Sequence, residues 1–332
     1  MDAIEIESPA RLHLGFIDPS GDGKRRFGSL GLAIDGLSTR LRLSRSAGGA
    51  AYVATSERAR PEIERACRQL ERLRELLAYD EPLSMEILEA IPPHAGLGSG
   101  TQLALAIGYG LTRLSGRRLP VRQIAALTDR GARSGIGIGA FEQGGFVVDG
   151  GRGPNTLVPP QIARMSFPPG WRVILIFDAG FAGLHGEAET AAFRALPPMA
   201  AAEADHLARL TMMQVLPGLA EGDFGQFGPA ITEIQARVGD HFAPAQGGRF
   251  ASPAVARWLA WFAACGAVCY GQSSWGPTGF VVTPSTAEAR AFIAAAKLAR
   301  TTDDPVRFAT VSGRNAGARV QEFDAQAAAA AH

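Results

Sequence analysis

A chain of 332 residues, 46% apolar and 20% charged, has the composition of a globular protein long enough for about two domains of ordinary size. A net charge of +1 excludes the strongly basic signature of nucleic-acid binding or of attachment to an anionic membrane surface. Cys67, Cys265 and Cys269 are too scattered for a disulfide framework, and with no signal-peptide pattern or membrane-length apolar run the chain is expected to be cytoplasmic.

From Ala3 to Leu43 the pattern predicts strands and loops. Ile4-Glu5-Ile6 and Thr39 to Leu43 alternate with a period of two, and a long Gly-rich loop, F-I-D-P-S-G-D-G-K-R-R-F-G-S-L-G, lies between them. Between Pro61 and Leu77, the apolar residues Ile63, Cys67, Leu70, Leu73 and Leu77 make one helical stripe opposite a charged face. Leu83 to Ile91 reads as a strand that runs into I-P-P-H-A-G-L-G-S-G-T-Q.

That stretch has the form of a phosphate-binding device. Pro92 and Pro93 end the strand. Gly96, Gly98 and Gly100 carry no Cβ, so the backbone can turn sharply and approach a ligand. Ser99 and Thr101 place hydroxyls where a helix over 102–114 would begin, and a helix start offers free N–H donors to an anion. No Gly-Lys-Ser/Thr follows, so it is not a Walker motif, and no acidic residue closes a dinucleotide-binding unit.

Farther on, Val121 to Thr128 predicts a short helix and R-G-A-R-S-G-I-G-I-G a second Gly-rich loop. G-G-R-G-P-N-T-L-V-P-P has linker composition, and the chain is divided there into residues 1–158 and 159–332. The second half predicts a buried strand over 172–177, helices over 201–216, 228–238 and 254–264, an apolar strand near Val268, and the loop G-Q-S-S-W-G-P-T-G. A strand over 280–283 and a helix over 287–300 follow, before an Ala-rich tail at 325–332. Mixed strands and helices make the class α+β.

Three segments resemble the GHMP kinase superfamily in order: S-P-A-R-L-H-L-G-F-I-D, P-x-x-x-G-L-G-S opening an apolar helix, and the loop from Gly271 to Gly279. The resemblance implies an N-terminal α/β domain with a left-handed crossover and a ferredoxin-like C-terminal domain. It departs at one place. The kinases commonly read S-G-I-D, whose Asp activates the substrate hydroxyl, whereas this chain reads S-G-I-G at Ser134 to Gly137. A glycine cannot take a proton, and the nearest downstream acid is Glu142.

A branch of the superfamily carries such a loop, the β-ribofuranosylaminobenzene 5'-phosphate synthases of tetrahydromethanopterin biosynthesis. The chain is similar to them through F-G-S-L-G-L-A-I-D, S-G-I-G-I-G-A-F-E-Q-G-G-F-V-V-D-G-G, Q-G-G-R-F-A-S-P and G-Q-S-S-W-G-P-T-G-F. What the resemblance implies is a decarboxylating ribosyl transfer. Phosphoribosyl pyrophosphate (PRPP) and 4-aminobenzoate or 4-hydroxybenzoate give a C-riboside 5'-phosphate, carbon dioxide and pyrophosphate. It also implies a homodimer and Mg²⁺, with Ser99, Asp178 and Glu187 as candidate ligands. The paired acids that usually end a PRPP-binding strand are absent, since Asp178 has no acidic neighbour.

Gly96, Gly98, Ser99, Gly100 and Thr101 are expected to hold pyrophosphate. Arg133, beside S-G-I-G, is the leading candidate to orient the benzoate carboxylate through its planar fork, with Arg11 second. Arg11 and His13 point the same way on a strand, where His13 is expected to bind substrate; Arg11 either holds phosphate or carboxylate or is a surface residue at the strand end. Lys24 and Arg26 belong to a basic run that either closes over a 5'-phosphate or is a solvated face. His185 positions the acceptor, donates to phosphate, or is structural. Gln272, Ser273 and Trp275 fall in the third loop and are expected to bind substrate, where Trp275 either stacks on the acceptor or anchors the core. Two alternatives stay open at this stage: an ATP-dependent small-molecule kinase with an unusual base, and an inactive ligand sensor.

Overall fold

Alternating apolar residues drive the first two strands. The computed structural model describes residues 1–19, 25–181 and 195–324. In it β1 (Ala3–Asp18) and β2 (Phe27–Arg45) pair antiparallel, with Ile4 opposite Leu43 and Ile6 opposite Leu41, all four fully buried. The described parts of the expected Gly-rich loop are therefore largely strand: Phe16 pairs with Ser29 and Asp18 with Phe27. β2 then serves two further partners along its other edge. Its last residues pair with β4 (Leu83–Glu89), and Ser29 to Leu32 pair with β5 (Phe146–Asp149). β3 (Ala51–Ala54) runs parallel to β4, so α1 (Ile63–Leu76) is the crossover between them.

α1 and α2 (Ser99–Leu114) cover one face of this sheet. Leu70 and Leu73 of α1 and Leu103, Ile107 and Leu111 of α2 are buried with Ile4, Ile6, Met85 and Ile87. α2 is buried on almost every side, which explains why its sequence is apolar throughout and shows no stripe. Two short helices, α3 (Val121–Leu127) and α4 (Ile136–Glu142), follow it. The expected second Gly-rich loop thus becomes helical from Ile136 onward, because burial of Ile136, Ile138 and Phe141 overrides the low helix propensity of glycine.

Residues 150–160 connect β5 to β6 (Gln161–Met165), which pair antiparallel. A boundary at 158/159 would cut this hairpin. The first sheet runs on through Met165, and β11 (Arg319–Phe323) returns to pair with β1. Between these points lies a second sheet of β7 (Arg172–Asp178), β8 (Tyr270–Gln272), β9 (Gly279–Thr283) and β10 (Val306–Val311). Its order is β10-β7-β9-β8 and every pair is antiparallel. Helices fill the β7–β8 and β9–β10 connections, which is the ferredoxin-like arrangement that the resemblance implied.

In the first of those connections α5 (Ala201–Leu210) passes through a π-helical turn (Thr211–Val215) into α6 (Leu216–Glu221). α7 (Phe224–Gln246) is longer than the expected 228–238, since Asp223 caps it by accepting from Gln226 N at 3.1 Å. α8 (Pro253–Ala264) and α9 (Thr286–Ala299) back the second sheet. The two sheets share a core in which Leu12, Leu14 and Phe16 of β1 meet Val173 and Leu175 of β7 and Phe227, Ile231 and Ile234 of α7. No helix among the described residues is long and apolar enough to cross a membrane.

Candidate functional site

The glycine loop stands at the seam of the two sheets. Gly98 caps α2 in the left-handed region, φ +86°, and its carbonyl accepts from Thr101 N and Gln102 N at 3.0 Å each. The first-turn amides of Ser99 and Gly100 have no intrahelical acceptor and remain directed out of the helix end. Close approach, and not only backbone twist, excludes a side chain at Gly96 and crowds one at Gly98. A Cβ at Gly96 would strike the carbonyl oxygen of Ser273, and one at Gly98 would lie 3.2 to 3.3 Å from the Arg11 side chain.

Three segments are fastened together at this point. The Gly96 carbonyl accepts from Arg11 Nη1 at 2.6 Å and from Ser273 Oγ at 2.7 Å. Ser273 Oγ in turn accepts from His13 N at 3.0 Å, and Ser274 N donates to the His13 carbonyl at 3.2 Å. β1, the glycine loop and the third loop therefore move as one piece. Ser273 is fully buried and acts as a clip. Gln272, also buried, accepts from Ala251 N at 2.7 Å and donates to the Ser274 carbonyl at 3.1 Å.

A cleft of about 420 Å³ opens over the loop, a size typical of small-molecule sites. Gly96, Gly98, Ser99, Gly100 and Thr101 form its floor. Arg11, Arg65, Arg130 and Arg133 line its walls with His94 and Trp275, and no carboxylate is on its described lining. Arg65 and Arg130 were not singled out in the sequence. Arg65 lies on the charged face of α1, ion-paired to the buried Glu62. Arg130 is aimed by the end of α3: Asp129 takes a left-handed turn, φ +54°, and Arg130 N donates to the Ala125 carbonyl at 2.8 Å. Burial, and then Arg65, pull the Arg130 pKa below its ordinary value.

Gly137 faces the same helix start. Its carbonyl accepts from Gln102 Nε2 at 2.8 Å, and a Cβ there would lie 2.8 Å from Thr101 Cγ2. Glu142, at the far end of α4, is 3.8 Å from Arg122 and is not on the cleft lining. The segment before Gly137 is held instead by Asp149, which the sequence reading did not single out. Its buried carboxylate accepts from Gly135 N at 2.8 Å, Ser134 Oγ at 3.3 Å and Gly151 N at 2.9 Å. Burial raises its pKa, and those bonds oppose the rise.

His13 does not reach the arginine cleft. It lines a smaller cavity of about 30 Å³ with Phe16, Phe242 and Trp275, room for a water and far short of the roughly 150 Å³ that holds a benzene. Burial, then Arg11 and Arg133, hold the His13 pKa down to about 3, so the ring is neutral. Trp275 forms a wall shared by both spaces and packs on Phe242 with ring centroids 4.7 Å apart.

The remaining candidates are dispersed. Arg26 is exposed, its backbone bridged to Arg152 and its guanidinium 5.5 Å from the Phe27 ring centroid; it is not on the cleft lining. Asp178 ends β7 and accepts from Ser252 Oγ at 2.6 Å and Gly180 N at 2.9 Å. It supports the cap of α8 and is off the cleft lining. Lys24, His185 and Glu187 lie outside the described residues, as does the tail at 325–332.

Comparisons with known proteins agree with this architecture. Residues 62–145 match the N-terminal domain of the GHMP kinases and residues 215–299 the C-terminal domain. A β-ribofuranosylphenol 5'-phosphate synthase of Archaeoglobus fulgidus is 31% identical over 299 residues, 86% of this chain and 89% of that protein. The enzyme of the same name from Methanothermobacter thermautotrophicus is 29% identical over 293 residues, 84% of this chain and 88% of its own length. Among solved structures, the mevalonate diphosphate decarboxylase of Enterococcus faecalis superposes with a TM-score of 0.68 at 15% identity, covering 97% of this chain and 99% of that one, a likeness of fold.

Proposed function

Since this chain belongs to the GHMP kinase superfamily and, within it, to the family of β-ribofuranosylphenol 5'-phosphate synthases, we propose that it condenses PRPP with a 4-substituted benzoate, releasing carbon dioxide and pyrophosphate. The observation that carries this reading is a glycine-loop cleft with four arginines and no carboxylate on its described lining. A kinase must take a proton from its acceptor hydroxyl, and Gly137 offers nothing to take it. A decarboxylating C-ribosylation has no such need.

The electron count closes without a base. The C1–O bond of PRPP breaks and its electron pair leaves on pyrophosphate, making the sugar oxocarbenium-like. The ring carbon that bears the carboxylate, enriched by the para hydroxyl or amino group, bonds to C1. The C–CO₂ bond then breaks, its pair restores the aromatic ring, and carbon dioxide departs. The loop amides and arginines hold the pyrophosphate where charge develops. Arg133 orients the carboxylate so that the breaking bond aligns with the ring π system. The shared wall of Trp275 keeps water from one side of the cleft.

Mg²⁺ fits as an ion carried mainly by the donor. The described lining supplies the hydroxyls of Ser99 and Thr101 and no carboxylate, and Mg²⁺ is commonly held by substrate phosphates and water; bound there it would neutralise charge on the leaving pyrophosphate. A phenol product, as in the name of the relatives, follows from 4-hydroxybenzoate, and the same reading places the reaction in tetrahydromethanopterin biosynthesis, in a cytoplasmic homodimer. The test is incubation with Mg²⁺, PRPP and carboxyl-labelled 4-hydroxybenzoate or 4-aminobenzoate. Labelled carbon dioxide and pyrophosphate in equal amounts support the reading. Phosphorylation from ATP without carbon dioxide release overturns it.

A further inference from the structure

Two of the four arginines stand apart from the other two. A Cβ on Gly100, in the first turn of α2, would lie 3.4 Å from Arg65 Nη1 and 3.7 Å from Arg130 Nη1. Both guanidinium groups therefore converge on one side of the free helix end. The Nε atoms of both are buried and without a hydrogen-bond partner among the described residues. Arg65 has one carboxylate, Glu62. Arg130 has no ion pair among the described residues, because the neighbouring Asp129 is taken by Arg72 at 2.5 Å. Two guanidinium groups, always charged, are thus held together with one directly paired carboxylate, Glu62, while the exposed Asp129 acts on Arg130 only through space. Such an arrangement is costly in the empty protein and is relieved by a polyanion.

We infer that Arg65 and Arg130, with the first-turn amides of α2, form a leaving-group subsite that binds the pyrophosphate of the donor and receives the charge released when its C1–O bond breaks. This rests on the ribosyl-transfer reading. The other pair is less suited to that task. Arg11 is engaged with the Gly96 carbonyl, and of the four arginines it is Arg65 and Arg130 that a Cβ on Gly100 would meet nearest. A group that meets charge as it develops lowers the barrier more than it tightens the ground state. Loss of either arginine should therefore reduce kcat more than it raises the KM for PRPP.

The experiment is calorimetric titration of the full chain with inorganic pyrophosphate, with and without Mg²⁺, for wild type, Arg130→Gln, Arg65→Gln and Arg130→Lys. Arg130→Gln is expected to weaken pyrophosphate binding at least tenfold and to lower kcat about a hundredfold, with the benzoate KM unchanged. Its melting temperature without ligand should equal or exceed that of wild type, since like-charge repulsion is removed, and added pyrophosphate should raise it less. Arg130→Lys should recover part of the affinity, keeping the charge but losing the fork. If Arg130→Gln fails to fold, Arg65→Gln carries the same binding and kinetic expectation, with a lower melting temperature because the buried Glu62 loses its partner. Undiminished pyrophosphate binding in the folded variants, or a selective rise in the benzoate KM, overturns the subsite. A wild type that binds pyrophosphate through Arg130, yet phosphorylates an acceptor from ATP and releases no carbon dioxide, upholds the anion subsite and overturns the ribosyl-transfer reading.

Discussion

His13 is buried against Phe16 and flanked by two guanidinium groups, and that placement makes it a reporter of the site. Its pKa of about 3 in the folded protein compares with about 6.5 in an unfolded chain. The unfolded state therefore binds the extra proton as the pH falls. The stability linked to neutral His13 is fully present above about pH 6.5 and is lost as the pH drops toward 3. Wild type should lose stability relative to His13→Gln by about 1.4 kcal/mol per pH unit between pH 6 and 4, measured as urea midpoints. A difference that stays flat over that range would mean that the folded protein protonates His13. Arg133 is tested by Arg133→Lys, which keeps the charge and loses the planar fork. The expected result in steady-state kinetics is a raised acceptor KM and a lowered kcat with PRPP affinity nearly unchanged; collapse of PRPP binding with a normal acceptor KM would move Arg133 to the donor phosphates. At Gly137 a new Cβ meets the Thr101 side chain at 2.8 Å, so Gly137→Asp must push that side chain aside at the first turn of α2. That variant should lose ribosyl transfer and gain no ATP turnover, and an appreciable gain in phosphoryl transfer would revive the kinase reading.

At the scale of elements, the site depends on a clip between the two halves of the chain. Ser273 joins the Gly96 carbonyl to the His13 amide. Ser273→Ala would leave His13 N without this buried acceptor and remove one of two donors to Gly96, costing about 1–3 kcal/mol. Hydrogen exchange of the amides at 96–101 should accelerate in that variant while β7 and β9 keep their protection. Equal acceleration throughout would show a general loss of stability and no local clip. The glycine loop was legible in the sequence because it is built from consecutive residues. The clip was not, because it joins residues some 260 positions apart, and Gln272 and Ser273 read from the chain as substrate contacts. α4 was missed for a related reason: four glycines between 131 and 139 read locally as a loop, and burial against β1, β2 and α2 makes the helix.

For the whole molecule, alternation and helical stripes gave the α+β class, and the quoted motifs pointed to the superfamily before any contact was known. The division of the chain was less accessible. Gly150 to Pro160 has linker composition, yet it is a connection within the first sheet, and β11 closes that sheet from the far end of the chain. Pairing between distant strands leaves no local mark. The same limit applies to Arg65 and Arg130. One is an ordinary member of the charged face of α1 and the other precedes a glycine, and only the packing of α1 and α3 beside α2 brings them to Gly100. A chain with a net charge of only +1 thus gathers four arginines into a cationic cleft.

The central claim, carbon–carbon bond formation with loss of the carboxylate, is tested most directly by carbon NMR. The enzyme would be supplied with Mg²⁺, PRPP carrying ¹³C at C1 of the ribose, and 4-hydroxybenzoate carrying ¹³C at the ring carbon that bears the carboxylate. The account predicts a product with a one-bond ¹³C–¹³C coupling between those two atoms, and since an aromatic ring carbon carries one substituent, that coupling also reports loss of the carboxylate. A product in which the two labels remain uncoupled, with the carboxylate retained or a phosphate transferred in its stead, would contradict it.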